Sequence, residues 1–97
     1  MTMRFQAFTS KPFEMFRSDL DQSLARSFAS HVMQRSWKDQ ILSIHALGSN
    51  GFVQFDNGGV RAEIRMSFPA TLMKDQIVSD IQRALTESSG GAVQTFE

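Results

Sequence analysis

The residues able to do chemistry in this chain are few and scattered. His31 and His45 are the only histidines, and there is no cysteine. One histidine falls in a helical stretch and the other in a strand-like run, with neither HxH nor HxxxH spacing. A mononuclear metal site needs three or four converging ligands, so no metal is expected. Without Cys there is no thiolate nucleophile and no disulfide, and no Ser stands in a GxSxG-type elbow. Asp19 and Asp21 form a carboxylate pair at an expected helix start, where the helix dipole accounts for them, and Asp75 and Asp80 read as helix-surface charges. The glycines of "GSNG" (48–51) and "DNGG" (56–59) do not precede a helix, as a phosphate loop must. These residues predict no catalytic centre, no cofactor and no enzyme activity.

The elements that carry them are better specified. Residues 3–8, "MRFQAF", alternate as a strand with Met3, Phe5 and Ala7 on one face. Pro12 then suits a first helical turn. Apolar residues recur as Phe16, Leu20, Leu24, Phe28 and Val32, with Ala25, Ala29 and Met33 beside them. The helix is expected to begin between Pro12 and Asp19, with Ser18 and Asp21 as a capping signal, and to end near Arg35. "SWKDQ" reads as a connection and "QILSIHAL" (40–47) as a second strand. The two glycine-bearing turns flank a short third strand, "FVQF".

The fourth strand is the cleanest. Val60, Ala62, Ile64, Met66 and Phe68 face one way and Arg61, Glu63, Arg65 and Ser67 the other, a register that a one-residue slip would invert. Residues 71–87 read as a second helix with Leu72, Ile77, Val78, Ile81, Ala84 and Leu85 on its apolar face. "SSGG" stops it, and residues 90–97 read as a flexible tail.

The order is β-α-β-β-β-α. The expected fold is one two-layer α+β domain over residues 1–89, a four-stranded, mostly antiparallel sheet with both helices on one face. The first strand crosses over through the first helix and is expected to pair parallel to a neighbour. A domain of 97 residues buries only about 60–70% of its unfolded surface.

Ten Lys and Arg balance ten Asp and Glu, which argues against a dedicated nucleic-acid binder. No apolar run reaches the roughly 18–20 residues of a membrane span, and the N-terminus lacks a signal-peptide layout. The expected location is the cytoplasm. Nine Phe occur with one Trp and no Tyr, and Phe5, Phe8, Phe13 and Phe16 crowd the start with Met3 and Met15. Such residues either fill the core or form an apolar patch for a partner. The candidate binding residues are Arg61, Arg65 and His45 on the wet sheet face, Phe8 and Phe13 in the N-terminal region, and Trp37, which also reads as a lid on the core. An unpaired sheet edge would allow a homodimer.

From Trp37 the chain runs "SWKDQILSI", a Gly48-to-Gly51 turn, "FVQFDNGGVRAEIRMSF", a Leu-Met-Lys stretch and "KDQIVSDIQRAL". Over residues 3–87 this resembles the small bacterial family of polyhydroxyalkanoic acid system proteins, also called polyhydroxyalkanoate granule-region proteins. Shared are a Trp after the first helix, an apolar strand, a Gly-bearing turn, an acidic turn and a Val-Arg-x-acidic-apolar-Arg strand. The chain departs from the pattern in its Phe-rich N-terminus, its less charged last helix and Pro-Ala-Thr at 69–71. The resemblance implies a non-enzymatic accessory role at storage-polyester granules, with a protein partner or the apolar granule surface as ligand. The same element order resembles ribosome hibernation factors, which bind ribosomal RNA through basic helix faces. Here Arg26 and Arg35, nine positions apart, fall on opposite sides of a helix and make no basic stripe.

Overall fold

A computed structural model describes residues 1–27, 33–46 and 48–97. The class is α+β, as expected, but the described residues form a six-stranded, fully antiparallel sheet rather than four strands. The elements are β1 (Thr2–Phe8), α1 (Phe13–Ala25), β2 (Gln34–Lys38), β3 (Ile41–Ala46), β4 (Ser49–Asp56), β5 (Gly59–Met66), a 3-10 turn (Ala70–Met73), α2 (Lys74–Ser89) and β6 (Val93–Phe96). The sheet order is β2-β3-β4-β5-β1-β6.

Two of these strands depart from the expected order, and each has a physical reason. The helix stops at Ala25, not near Arg35, and Gln34–Lys38 is a strand. Phe28, Ala29, His31 and Val32 lie outside the described residues. In β2 only Arg35 and Trp37 turn inward, opposite Ile44 and Leu42, so its apolar alternation is faint. Its turn to β3 is the two-residue Asp39–Gln40, with Asp39 at φ 55°. Such turns favour Asn-Gly or Asp-Gly, and a Gln at the second position hides the hairpin. The tail is not loose: β6 pairs antiparallel with β1, Ala7 opposite Val93 and Arg4 opposite Phe96.

The additional β2 also corrects the direction of β1. One more strand between α1 and the meander reverses the sense of the last meander strand. So β1 meets β5 antiparallel, Met3 opposite Ile64 and Phe5 opposite Ala62, instead of parallel.

The strand alternation does what the pattern requires. Met3, Phe5 and Ala7 of β1, Leu42 and Ile44 of β3, Val53 and Phe55 of β4, and Val60, Ala62, Ile64 and Met66 of β5 are buried in one cluster. Phe16, Leu20 and Leu24 of α1 and Ile81, Ala84 and Leu85 of α2 join it, so both helices cover one face. The β4–β5 hairpin closes through Asn57 (φ 50°) and Gly58 (φ 84°). A side chain at Gly58 would meet the Thr9 carbonyl oxygen at 2.7 Å, while the Thr9 N–H donates to the Gly58 carbonyl at 2.8 Å. The preceding turn is displaced from its expected span: Ala46 pairs with Ser49, and Asn50 and Gly51 already belong to β4.

Asp19 and Asp21 are not at a helix start, because α1 begins at Phe13 and carries Glu14 in its first turn. Asp19 accepts from Lys11 Nζ at 2.7 Å, and Asp21 accepts from Trp37 Nε1 at 3.0 and 3.1 Å. Asp80 is buried rather than a surface charge.

Candidate functional site

The face of the sheet away from the helices brings three of the expected residues together. His45 pairs across the ladder with Asn50, and Asn50 with Arg65. Arg61 lies on the same face two same-side positions further along β5, beyond Glu63, opposite Gln54 and Gln6. All three are exposed. Arg61 Nη2 donates to Gln54 Oε1 at 2.9 Å, and its guanidinium lies 6.0 Å from the centre of the Phe52 ring. Arg65 Nε reaches Glu63 Oε1 at 3.5 Å. The same alternation places Arg4, Phe8 and Phe96 on this face, Phe8 at the far end of β1 and 69% exposed. This surface offers exposed cations and rings. Ion pairs there are screened and worth at most about 1 kcal/mol each.

Phe13 and Trp37 lie on the opposite, helix-covered side. The Phe13 ring meets Trp37 edge-on at 5.5 Å and Phe55 at 5.4 Å, and Phe16 meets Phe55 at 5.3 Å. Arg17 stacks over Trp37 at 5.4 Å. With its indole N–H satisfied by Asp21, Trp37 is a lid over this end of the core. The Phe/Met-rich start is therefore divided: Met3, Phe5 and Phe16 are inside, Phe13 is partly covered, and Phe8 and Met15 are outside.

A different apolar surface stands at the other end of the sheet. Strand β5 stops at Met66, and Phe68, expected on its inner face, is 77% exposed. Leu72, expected on the apolar face of a helix, lies in the 3-10 turn and is 74% exposed, and Met73 beside it is also exposed. The signal available in the sequence is Pro69, which ends the alternation one residue after Phe68 and disfavours a regular continuation.

Beneath this segment is a cavity of about 240 Å³, lined chiefly by Leu24, Ile44, Ile64, Met73, Ile77 and Ile81. At this end α1 has ended at Ala25 while β3 and β5 run on to Ala46 and Met66, and Ala46, Ser49 and Ala70 on the wall are small. Ser27 also lines it. That residue is 6% exposed, and its hydroxyl has no hydrogen-bond partner among the described residues. Asp80 borders the cavity, accepting from Gln76 Nε2 at 3.3 Å and lying 3.6 Å from Arg83.

One polar cluster clips the two helices together. Ser23 Oγ donates to Glu87 Oε1 at 2.6 Å, and Arg26 Nη2 reaches both Glu87 oxygens at 3.2 and 3.1 Å. The Ser23 hydrogen bond, helped by Arg26 and Arg83, holds the Glu87 carboxyl below its ordinary range. This arrangement joins helices and presents no reacting group. Among the described residues no three His, Cys, Asp or Glu converge as a metal site, and no helix is long and apolar enough to cross a membrane.

No curated protein matches the chain. A family model does: that of the "Putative polyhydroxyalkanoic acid system protein" family matches residues 9–88, from the residue after β1 to near the end of α2. With so much of its length matched, including the Trp37-to-Leu85 pattern, the chain belongs to the polyhydroxyalkanoic acid system family.

Proposed function

We propose that the protein is a non-enzymatic, cytoplasmic accessory of the polyhydroxyalkanoate system that docks its apolar end onto the granule surface. The observation that supports this most is the exposure of Phe68, Leu72 and Met73 within six consecutive residues, in a chain whose other large apolar side chains mostly find places in the core. Transfer of such side chains from water to an apolar surface is favourable by about 1.5–3 kcal/mol each when complete. Even partial burial of three side chains on one short segment would hold a small protein on a polyester particle. The sheet edges and the helix clip are not needed for this contact, so it leaves the fold unchanged.

Salt separates this reading from a polar one. Apolar burial survives high salt, whereas contacts between exposed charges are screened within about 10 Å at 0.1 M. The test is retention of the purified protein on polyhydroxyalkanoate particles through low- and high-salt washes. Retention through both supports docking by the apolar end, and release in the high-salt wash contradicts it.

A second reading, ribosomal RNA contact, is favoured by one observation. The open sheet face carries Arg4, Lys38, Arg61 and Arg65 with the rings of Phe52 and Phe96, against Glu63 and Asp56. Cations interleaved with rings suit single-stranded RNA. Ribosomal RNA recovered with the protein from lysate and shed by salt would favour that face over the apolar end.

A further inference from the structure

The cavity beside the apolar end has its own chemistry, independent of the docking reading. Among the described residues its lining is apolar apart from the Ser27 hydroxyl and the edges at Ser49 and Asp80. At about 240 Å³ it is roughly one and a half times the 150 Å³ apolar cavity that holds benzene, so it has room for about eight to ten non-hydrogen atoms. An apolar space of this kind lacks dispersion partners for its lining. The Ser27 hydroxyl, more than nine-tenths buried and without a partner among the described residues, bears the desolvation cost of an unmade hydrogen bond. Both deficits would be relieved by one kind of guest.

We infer that this cavity is a binding site for a small neutral aliphatic ester, its chain among Leu24, Ile44, Ile64, Ile77 and Ile81 and its carbonyl oxygen accepting from the Ser27 hydroxyl. The aliphatic wall sets the body of the ligand. The hydroxyl sets its polar end, because a Ser O–H donates to a carbonyl oxygen. The absence of charge on the ligand follows from the described residues around it. A carboxylate would be stripped of water by the aliphatic wall and would face the Asp80 carboxyl at the border.

The test uses the full chain and two probes of equal chain length, methyl hexanoate and hexanoate at neutral pH. Binding is read from the NMR shifts of the Leu24, Ile44, Ile64, Ile77 and Ile81 methyl groups. The expected result is saturable shifts of these methyls with the ester, and at least about tenfold weaker binding of the anion. Ser27→Ala, which removes an unpartnered hydroxyl and keeps the fold, is expected to weaken the ester about fivefold, the equivalent of one net hydrogen bond. Ala70→Leu, which fills the cavity from its wall, is expected to abolish the shifts. The inference is overturned if the ester gives no saturable shift at these methyls, if hexanoate binds as well, or if Ser27→Ala binds the ester as the parent does. None of these outcomes depends on attachment to granules, so failure here leaves the docking reading standing, and the reverse.

Discussion

The two ends of the layer between helices and sheet are built on opposite principles. At one end α1 begins, the two-residue turns Asp39–Gln40 and Asn57–Gly58 close their hairpins, and Phe13, Phe16, Phe55 and Trp37 meet ring to ring. At the other end α1 has already stopped, small residues line the wall, a cavity remains, and Phe68 and Leu72 face outward. The first end uses its large side chains for packing, and the second leaves its own exposed. In a domain this short, whose stability margin is thin, the packed end carries the ring-to-ring contacts that hold the fold, while the other end leaves Phe68, Leu72 and Met73 exposed. Under the proposed docking, stability and binding would fall to different residues, and substitutions at the two ends should behave differently.

The largest effect is expected at the packed end. Phe16 is fully buried against Phe55, and Phe16→Ala is expected to cost about 3–5 kcal/mol, read from the urea midpoint. Close behind it, Gly58→Val forces a β-branched residue into φ 84° and toward the Thr9 carbonyl. A loss of about 1–3 kcal/mol is expected in the same assay. At the loose end the sign reverses. Ser27→Ala deletes a buried hydroxyl without a partner among the described residues and is expected to raise stability by about 1 kcal/mol, seen as a higher midpoint of thermal unfolding. A fall there would contradict the contrast between the ends. Phe68→Ser with Leu72→Ser, both at exposed positions, should change stability by no more than about 0.5 kcal/mol each.

The helix clip offers the smallest and most specific effect. Because the Glu87 carboxyl is held low in the folded state, its contribution is present above the ordinary carboxylate range and is lost as pH falls through the lowered value. Glu87→Gln is therefore expected to flatten the acid limb of the stability–pH curve, leaving its shape above neutrality as in the parent. An unchanged acid limb would show that the Ser23–Glu87–Arg26 contacts do not act in solution.

The legibility of the sequence follows the same division. The turn and the inner face of the β4–β5 hairpin are readable, because strict alternation over Val60–Met66 and the Asp-Asn-Gly-Gly turn are independent signals that agree, although β4 starts earlier and β5 ends sooner than expected. The apolar face of α2 from Ile77 to Leu85 is readable for the same reason. Strand β2 is not, since five residues with a single apolar side chain and a turn without Gly resemble a linker. Nor is β6, whose pairing partner β1 is 86 positions away at Ala7 and Val93 and leaves no local trace. His45, Arg61 and Arg65 can be grouped by alternation alone, and they do share a face. Phe68 and Leu72 fall to the core in the sequence pattern because periodicity counts apolar residues without knowing where an element stops. Ser27 and its cavity have no signal at all. They lie just past the end of α1 at Ala25, where the apolar stripe in the sequence instead continues the helix.

The most direct test of the division of labour is binding to polyhydroxyalkanoate particles at high salt, comparing the parent chain with Phe68→Ser/Leu72→Ser and with Arg61→Ala/Arg65→Ala. Retention of the parent and the arginine variant, with loss of the Phe68/Leu72 variant while its unfolding midpoint is unchanged, is the predicted result. Retention of all three, or loss only in the arginine variant, would contradict docking through the loose end.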